Sequence, residues 1–97
     1  MPIVRIIHVT FPPEQAAKAE TNWTNCCAPI MLRQPGCKSE ELLRCRENPG
    51  DYISYSEWED EASIQRYLRS EDHQEIKRHN RNIEGAKVEV LHYDFVR

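Results

Sequence analysis

The sequence predicts an α+β fold, a split β-α-β arrangement whose four strands form one antiparallel sheet with helices packed on one side. Three observations lead there. Four runs of strand-forming residues occupy 3–11, 37–46, 52–58 and 87–96. Apolar side chains at three- and four-residue spacing fill the intervals between the first and second runs and between the third and fourth. The Asn48-Pro49-Gly50 turn joins the middle two runs as a hairpin. The resulting order is β-α-β-β-α-α-β.

The first strand presents Ile3, Arg5, Ile7, Val9 and Phe11 on one side and Val4, Ile6, His8 and Thr10 on the other. Both sides are largely apolar, which implies cover on both. Pro12-Pro13 ends it, and Pro13 suits the first turn of a helix whose inner stripe is Ala16, Ala19, Trp23, Cys26 or Cys27, and Ile30. Pro29 cannot donate to the carbonyl of Asn25, so a kink or tightened last turn is expected there. The second strand alternates Cys37, Ser39, Glu41, Leu43 and Cys45 against Lys38, Glu40, Leu42, Arg44 and Arg46. The third ends on Trp58, expected in the core. Asp60 or Glu61 opens a helix striped by Ile64, Tyr67 and Leu68. Ser70, followed by Glu71 and Asp72, caps another that carries His73, Ile76, Asn80 and Ile83 on one face and closes at Gly85. The last strand sets Val88, Val90 and His92 against Leu91, Tyr93 and Phe95.

Ninety-seven residues make one domain, 1–97, with a thin stability margin. Helices cover one side of a sheet that is apolar on both, so a second copy of the chain is expected on the bare side. The apolar share of 39% is that of a soluble globular protein, not a disordered one. The net charge of −3 and the lack of a basic, aromatic strand argue against nucleic acid as a partner. No apolar run approaches the ~20 residues that span a bilayer. The opening residues read as a strand and not a signal peptide, which leaves a cytoplasmic location as the default. The four cysteines form no metal-binding spacing; Cys37 and Cys45, on one strand, stand ~26 Å apart, too far to bridge each other. Free thiols in a reducing compartment are expected.

The Pro35-Gly36 turn, Glu41-Leu42-Leu43-Arg44, Pro49-Gly50, the ISYSEW run at 53–58 and the Y-L-x-S-x-x-H pattern at 67–73 resemble the antibiotic biosynthesis monooxygenase (ABM) domain. The resemblance spans the chain in element order and residues 35–80 in motif. It implies a ferredoxin-like protomer that pairs sheet to sheet into a dimeric α+β barrel, with a pocket between sheet and helices in each subunit. It also implies a cofactor-independent monooxygenase oxidising a small aromatic quinol or polyphenol with O2, the deprotonated substrate itself giving an electron to O2. The protein then supplies an apolar slot, a proton acceptor and a site for the phenolate. The alternative is a non-enzymatic dimer of the same fold that binds a small aromatic or lipid-like ligand. A haem-degrading branch of the family uses an Asn, a Trp and an axial His; the matching positions here are Ile7-His8, Tyr67 and Lys77, which disfavours that reading.

The candidate site residues follow from these placements. His73 is the expected proton acceptor and Tyr67 its hydrogen-bonding neighbour, although each also reads as an ordinary cap or core residue. Trp23 offers a flat wall for an aromatic ring. Arg44 and Tyr55 lie on the central strands, where an inward arginine needs a carboxylate such as Glu57 or an anionic ligand. His8 and His92, on the terminal strands, face either the pocket or a dimer interface. No metal site is expected, because His73 and His79 fall on different helix faces and Lys77 is a poor ligand. Arg66, Arg69, Lys77, Arg78 and Arg81, interleaved with Glu71, Asp72, Glu75 and Glu84, read as a solvated face of i,i+4 pairs.

Overall fold

The β-branched run at the start of the chain forms strand β1 (Ile3–Thr10) at the heart of the sheet. The computed structural model describes residues 1–80, 83 and 85–97. β1 lies between β3 (Asp51–Trp58) and β4 (Lys87–Asp94), and β2 (Cys37–Arg44) forms the edge beyond β3, giving the order β2-β3-β1-β4. All pairings are antiparallel, with Ile7 opposite both Ser54 and Val90. This is the expected ferredoxin-like α+β architecture. At the hairpin, Gly50 sits at φ +89° with its carbonyl accepting from the Phe11 amide at 2.7 Å. A Cβ there would fall 2.2 Å from the Phe11 carbonyl oxygen, so the turn that joins β2 to β3 and braces the end of β1 requires glycine.

One register detail departs from simple alternation. Cys37 pairs with Trp58, yet Ser39 pairs with Glu57, so β2 carries a bulge at Lys38. Cys37 therefore packs against the core on the helix side, with Glu40 and Leu42, and not with Ser39, Glu41 and Leu43 as strict alternation predicts. All four cysteines are free; Cys27 is buried and the other three are half-buried.

After a short 3-10 turn at Pro13–Gln15, α1 (Ala16–Asn22) leads into a π-helical segment (Trp23–Cys27) and then α2 (Ala28–Leu32). Of the kink or tightened last turn expected at Pro29, the tightening is replaced by a widening. The Ala28 amide reaches back five residues to the Trp23 carbonyl, so a widened turn just before Pro29 absorbs its missing N–H. The widening turns Trp23 and Cys27 toward the sheet, where both line the same hollow. α3 (Glu61–Leu68) starts at Asp60, whose carboxylate accepts from the Ser63 amide at 2.8 Å and hydroxyl at 2.7 Å. α4 (Glu71–Asn80) starts at Ser70, which accepts from the His73 amide at 3.2 Å and donates to the Tyr67 carbonyl at 2.6 Å. The expected extension of this helix toward Ile83 crosses Arg81, Asn82 and Glu84, and it lies outside the described residues together with the charge pattern assigned to Arg81 and Glu84.

Trp58, Ile64, Tyr67 and Met31 anchor a core between the helices and one end of the sheet. The Trp58 indole N–H is satisfied by Ser56 Oγ at 2.9 Å, so burial of this ring costs no lost hydrogen bond. Arg33 and Gln34 both donate to Asp72 and tie the end of α2 to α4. On the side of the sheet away from the helices, Leu43, Leu91 and Tyr93 are 48%, 41% and 48% exposed, an apolar surface without cover. No helix among the described residues is long and apolar enough to cross a membrane.

Candidate active site

The helices do not close fully on the sheet. Between them lies a cavity of about 300 Å³, floored by Arg5, Ile7 and Val9 of β1, flanked by Glu40 and Leu42 of β2, and roofed in part by Trp23. Val88 and Val90 of β4 contribute the wall farthest from β2. Most of this lining is apolar, and a few polar groups converge on it, the usual form of a small-molecule site.

His73 reaches the cavity from the first turn of α4. Its ring meets Tyr67 edge-on at 4.9 Å, and Tyr67 in turn lies 5.5 Å from the Trp58 ring. The Ser70 hydroxyl, bonded to the Tyr67 carbonyl and the His73 amide together, fixes the two residues relative to each other. His73 Nδ1 is buried and has no hydrogen-bond partner among the described residues. Desolvation, with smaller contributions from the charges of Lys77 and Arg5, pushes the imidazole below its ordinary pKa. The ring is therefore neutral at pH 7 and able to accept a proton. Burial also raises the Tyr67 phenol above its ordinary range, so it acts as a hydroxyl and not as a phenolate.

Two residues that the sequence did not single out as functional, Arg5 and Glu40, are ionisable groups buried in the cavity wall. Each is only 6% exposed. Among the described residues Arg5 Nε and Glu40 Oε2 are buried without partners, and the two side chains form no ion pair with each other. Glu40 Oε1 is held by the Ser54 hydroxyl at 2.5 Å. Burial pushes the Glu40 carboxyl up to about 7, against the opposing pull of Ser54, the Trp23 indole and the charge of Arg5. Burial likewise works against the Arg5 guanidinium, which the Tyr67 and Glu40 charges support. The signal for Arg5 was a charge in a strand apolar on both sides. Glu40 was masked because its neighbours Ser39 and Glu41 make the strand look solvated.

Three of the six residues singled out from the sequence, His73, Tyr67 and Trp23, meet at the cavity. The other three are placed elsewhere. His8 lies on the opposite side of the sheet, exposed, with Nε2 2.8 Å from Asp51 Oδ1. Tyr55 pairs with Ile6 on that same bare side. Arg44 reaches out to Glu20 of α1 in a two-pronged bond of 2.7 and 2.8 Å, and the Tyr52 hydroxyl donates to the same carboxylate. Its carboxylate is thus Glu20, while Glu57 stands 3.8 Å from Lys38. Lys77, expected on a solvated face, contributes to the cavity lining.

The family model for antibiotic biosynthesis monooxygenase matches residues 2–79. The chain belongs to the antibiotic biosynthesis monooxygenase family. Its fold is shared by SnoaB, a cofactor-independent oxygenase from Streptomyces nogalater, at a TM-score of 0.83 and 20% identity over 99% of this chain and 94% of that one. A Bordetella bronchiseptica protein named for the same family superposes at a TM-score of 0.87 with 24% identity, covering 99% of this chain and 98% of its own. One from Deinococcus radiodurans gives 0.85 at 12% identity over 98% and 93%. Among curated proteins no sequence match was found.

Proposed function

We propose that this protein is a cytoplasmic, homodimeric monooxygenase that oxidises a small aromatic quinol or polyphenol with O2, using no metal, flavin or haem. The observation that carries the reading is the cavity itself, apolar around most of its wall and holding a neutral histidine whose Nδ1 has no protein partner. SnoaB, of the same fold, is a cofactor-independent oxygenase. In this reading Trp23 stacks on the substrate ring and Tyr67 backs the imidazole. His73 accepts a proton from the activated carbon or hydroxyl. The resulting anion passes one electron to O2, the two radicals combine at carbon, and the peroxide loses water. An activated CH2 plus O2 thereby becomes C=O plus H2O.

Homodimerisation in this reading uses the bare side of the sheet, where Leu43, Leu91 and Tyr93 of two copies would cover each other. O2 uptake in the presence of a hydroquinone and anthrone panel tests the activity. The expected result is uptake above the buffer rate with at least one member of the panel, falling roughly 10²-fold or more in His73→Ala. No uptake with any member, or full activity in His73→Ala, contradicts it.

A second reading, a dimer that binds a small aromatic ligand without turning it over, is favoured by one observation. Among the described residues His73 Nδ1 has no partner, so no carboxylate orients the ring from that nitrogen, as a relay would require. Native mass spectrometry showing a retained ligand, together with a silent oxygen electrode, would select it.

A further inference from the structure

Buried charges are costly unless something satisfies them. An ionised group held away from water loses several kcal/mol of hydration, and native interiors almost always return that through a partner. Arg5 and Glu40 break this pattern together. Both are more than nine-tenths buried, both face the same cavity, and one is a guanidinium and the other a carboxyl group. Yet they do not close on each other, and each keeps one buried polar atom unused: a donor, Arg5 Nε, and an acceptor, Glu40 Oε2. The backbone holds them apart. Arg5 is opposite Ser56 on β3, and Glu40 is opposite the same Ser56 from β2, so the width of a strand separates them. The Ser54 hydroxyl occupies Glu40 Oε1 and leaves Oε2 as the free atom.

We propose that Arg5 and Glu40 form a polar clamp that selects an aromatic ligand bearing, on one edge, a hydroxyl and a carbonyl oxygen on non-adjacent positions. The hydroxyl donates to Glu40 Oε2 and the carbonyl accepts from Arg5 Nε. Non-adjacent placement follows from the strand between the two side chains, and it also leaves the ligand's oxygens free of an internal hydrogen bond. The cavity stands at the lower end of the ~300–1,000 Å³ range of small-molecule sites, which points to one or two rings. The rest of the ring rests on Ile7, Val9 and the Trp23 indole. This inference rests on the cavity being the substrate site of the proposed oxygenase, and it assigns that substrate's class.

The test is calorimetric binding under argon, so that no turnover contributes, with four probes of one shape. These are 7-hydroxy-1-tetralone, which carries both groups; 5,6,7,8-tetrahydro-2-naphthol, with the hydroxyl alone; 1-tetralone, with the carbonyl alone; and tetralin, with neither. The wild type is expected to bind 7-hydroxy-1-tetralone about tenfold or more tighter than either single-group probe, the size of one hydrogen bond to a charged partner. Arg5→Met should abolish the preference over the phenol, and Glu40→Gln should weaken the preference over the ketone. Arg5→Met leaves the buried Glu40 carboxyl without its cation and risks misfolding, so the double variant Arg5→Met, Glu40→Met, apolar at both positions, is the control. It is expected to unfold as cooperatively as the wild type and to show no preference among the four.

Equal affinities for all four probes in the wild type, or a preference retained in the double variant, overturn the clamp. The second outcome would make the pair a structural one. Equal affinities alongside O2 uptake leave the oxygenase standing without the clamp. A strong preference with a silent oxygen electrode leaves the clamp standing without the oxygenase.

Discussion

Glu40 ties the chemistry of the cavity to the stability of the chain. Its folded pKa of about 7 lies above the ordinary 4.5, so the folded state holds a proton that the unfolded state releases. The stability associated with the protonated carboxyl is complete below about 4.5 and is lost as pH rises through about 7. Glu40→Gln fixes the neutral form. Denaturant unfolding at pH 8 is therefore expected to show Glu40→Gln more stable than the wild type by roughly 2–3 kcal/mol, with the difference fading toward pH 4. A variant less stable than the wild type at pH 8 would mean that the carboxylate is well partnered in the folded protein. At this scale the sequence was legible where one residue type at one position sufficed. Ser70 and Asp60 announced their caps, and the Y-L-x-S-x-x-H spacing brought Tyr67 and His73 together. It was not legible where the outcome depended on a distant partner. Arg44 could be read as needing a carboxylate, but Glu20 lies 24 positions away on another element, and only the folded chain brings them together.

At the scale of elements, two local irregularities shape the site. The bulge at Lys38 brings Cys37 to the helix side beside Glu40 and Leu42, and the π-helical turn aims Trp23 and Cys27 at the cavity. Neither is visible in hydrophobic periodicity, because a bulge and a widened turn shift phase by one residue without changing composition. The strand and helix order was visible, since each element carries its own turn or cap. The junction of α3 and α4 depends most on a single hydroxyl. Ser70→Ala removes the acceptor for the His73 amide and the donor to the Tyr67 carbonyl. A loss of about 1 kcal/mol is expected, which for a chain of this size lowers Tm by roughly 4–8 °C. Because the same hydroxyl positions His73, activity should fall by more than the loss of folded protein accounts for. An unchanged Tm in a thermal scan would show that the cap contributes nothing.

At the scale of the molecule, the sheet has one side committed to helices and cavity and one side left apolar. The alternation of β1 made this duality readable, because both its faces are dominated by Ile and Val. A protomer with that surface is expected to pair, and Tyr93→Glu, placing a charge amid Leu43 and Leu91, should shift sedimentation toward the monomer at micromolar concentration. A wild-type protein that sediments as a monomer at that concentration would remove the paired barrel from the account.

What the chain does with its cavity is decided by oxygen. The direct measurement is an oxygen electrode run on protein freed of metal by a chelator and shown by absorption to hold no flavin or haem, with each member of the hydroquinone and anthrone panel supplied in turn. The expectation is uptake above the buffer rate with at least one member, with one O2 consumed for each substrate molecule oxidised. Uptake that vanishes with the chelator and returns with added metal, or no uptake at all, would contradict it.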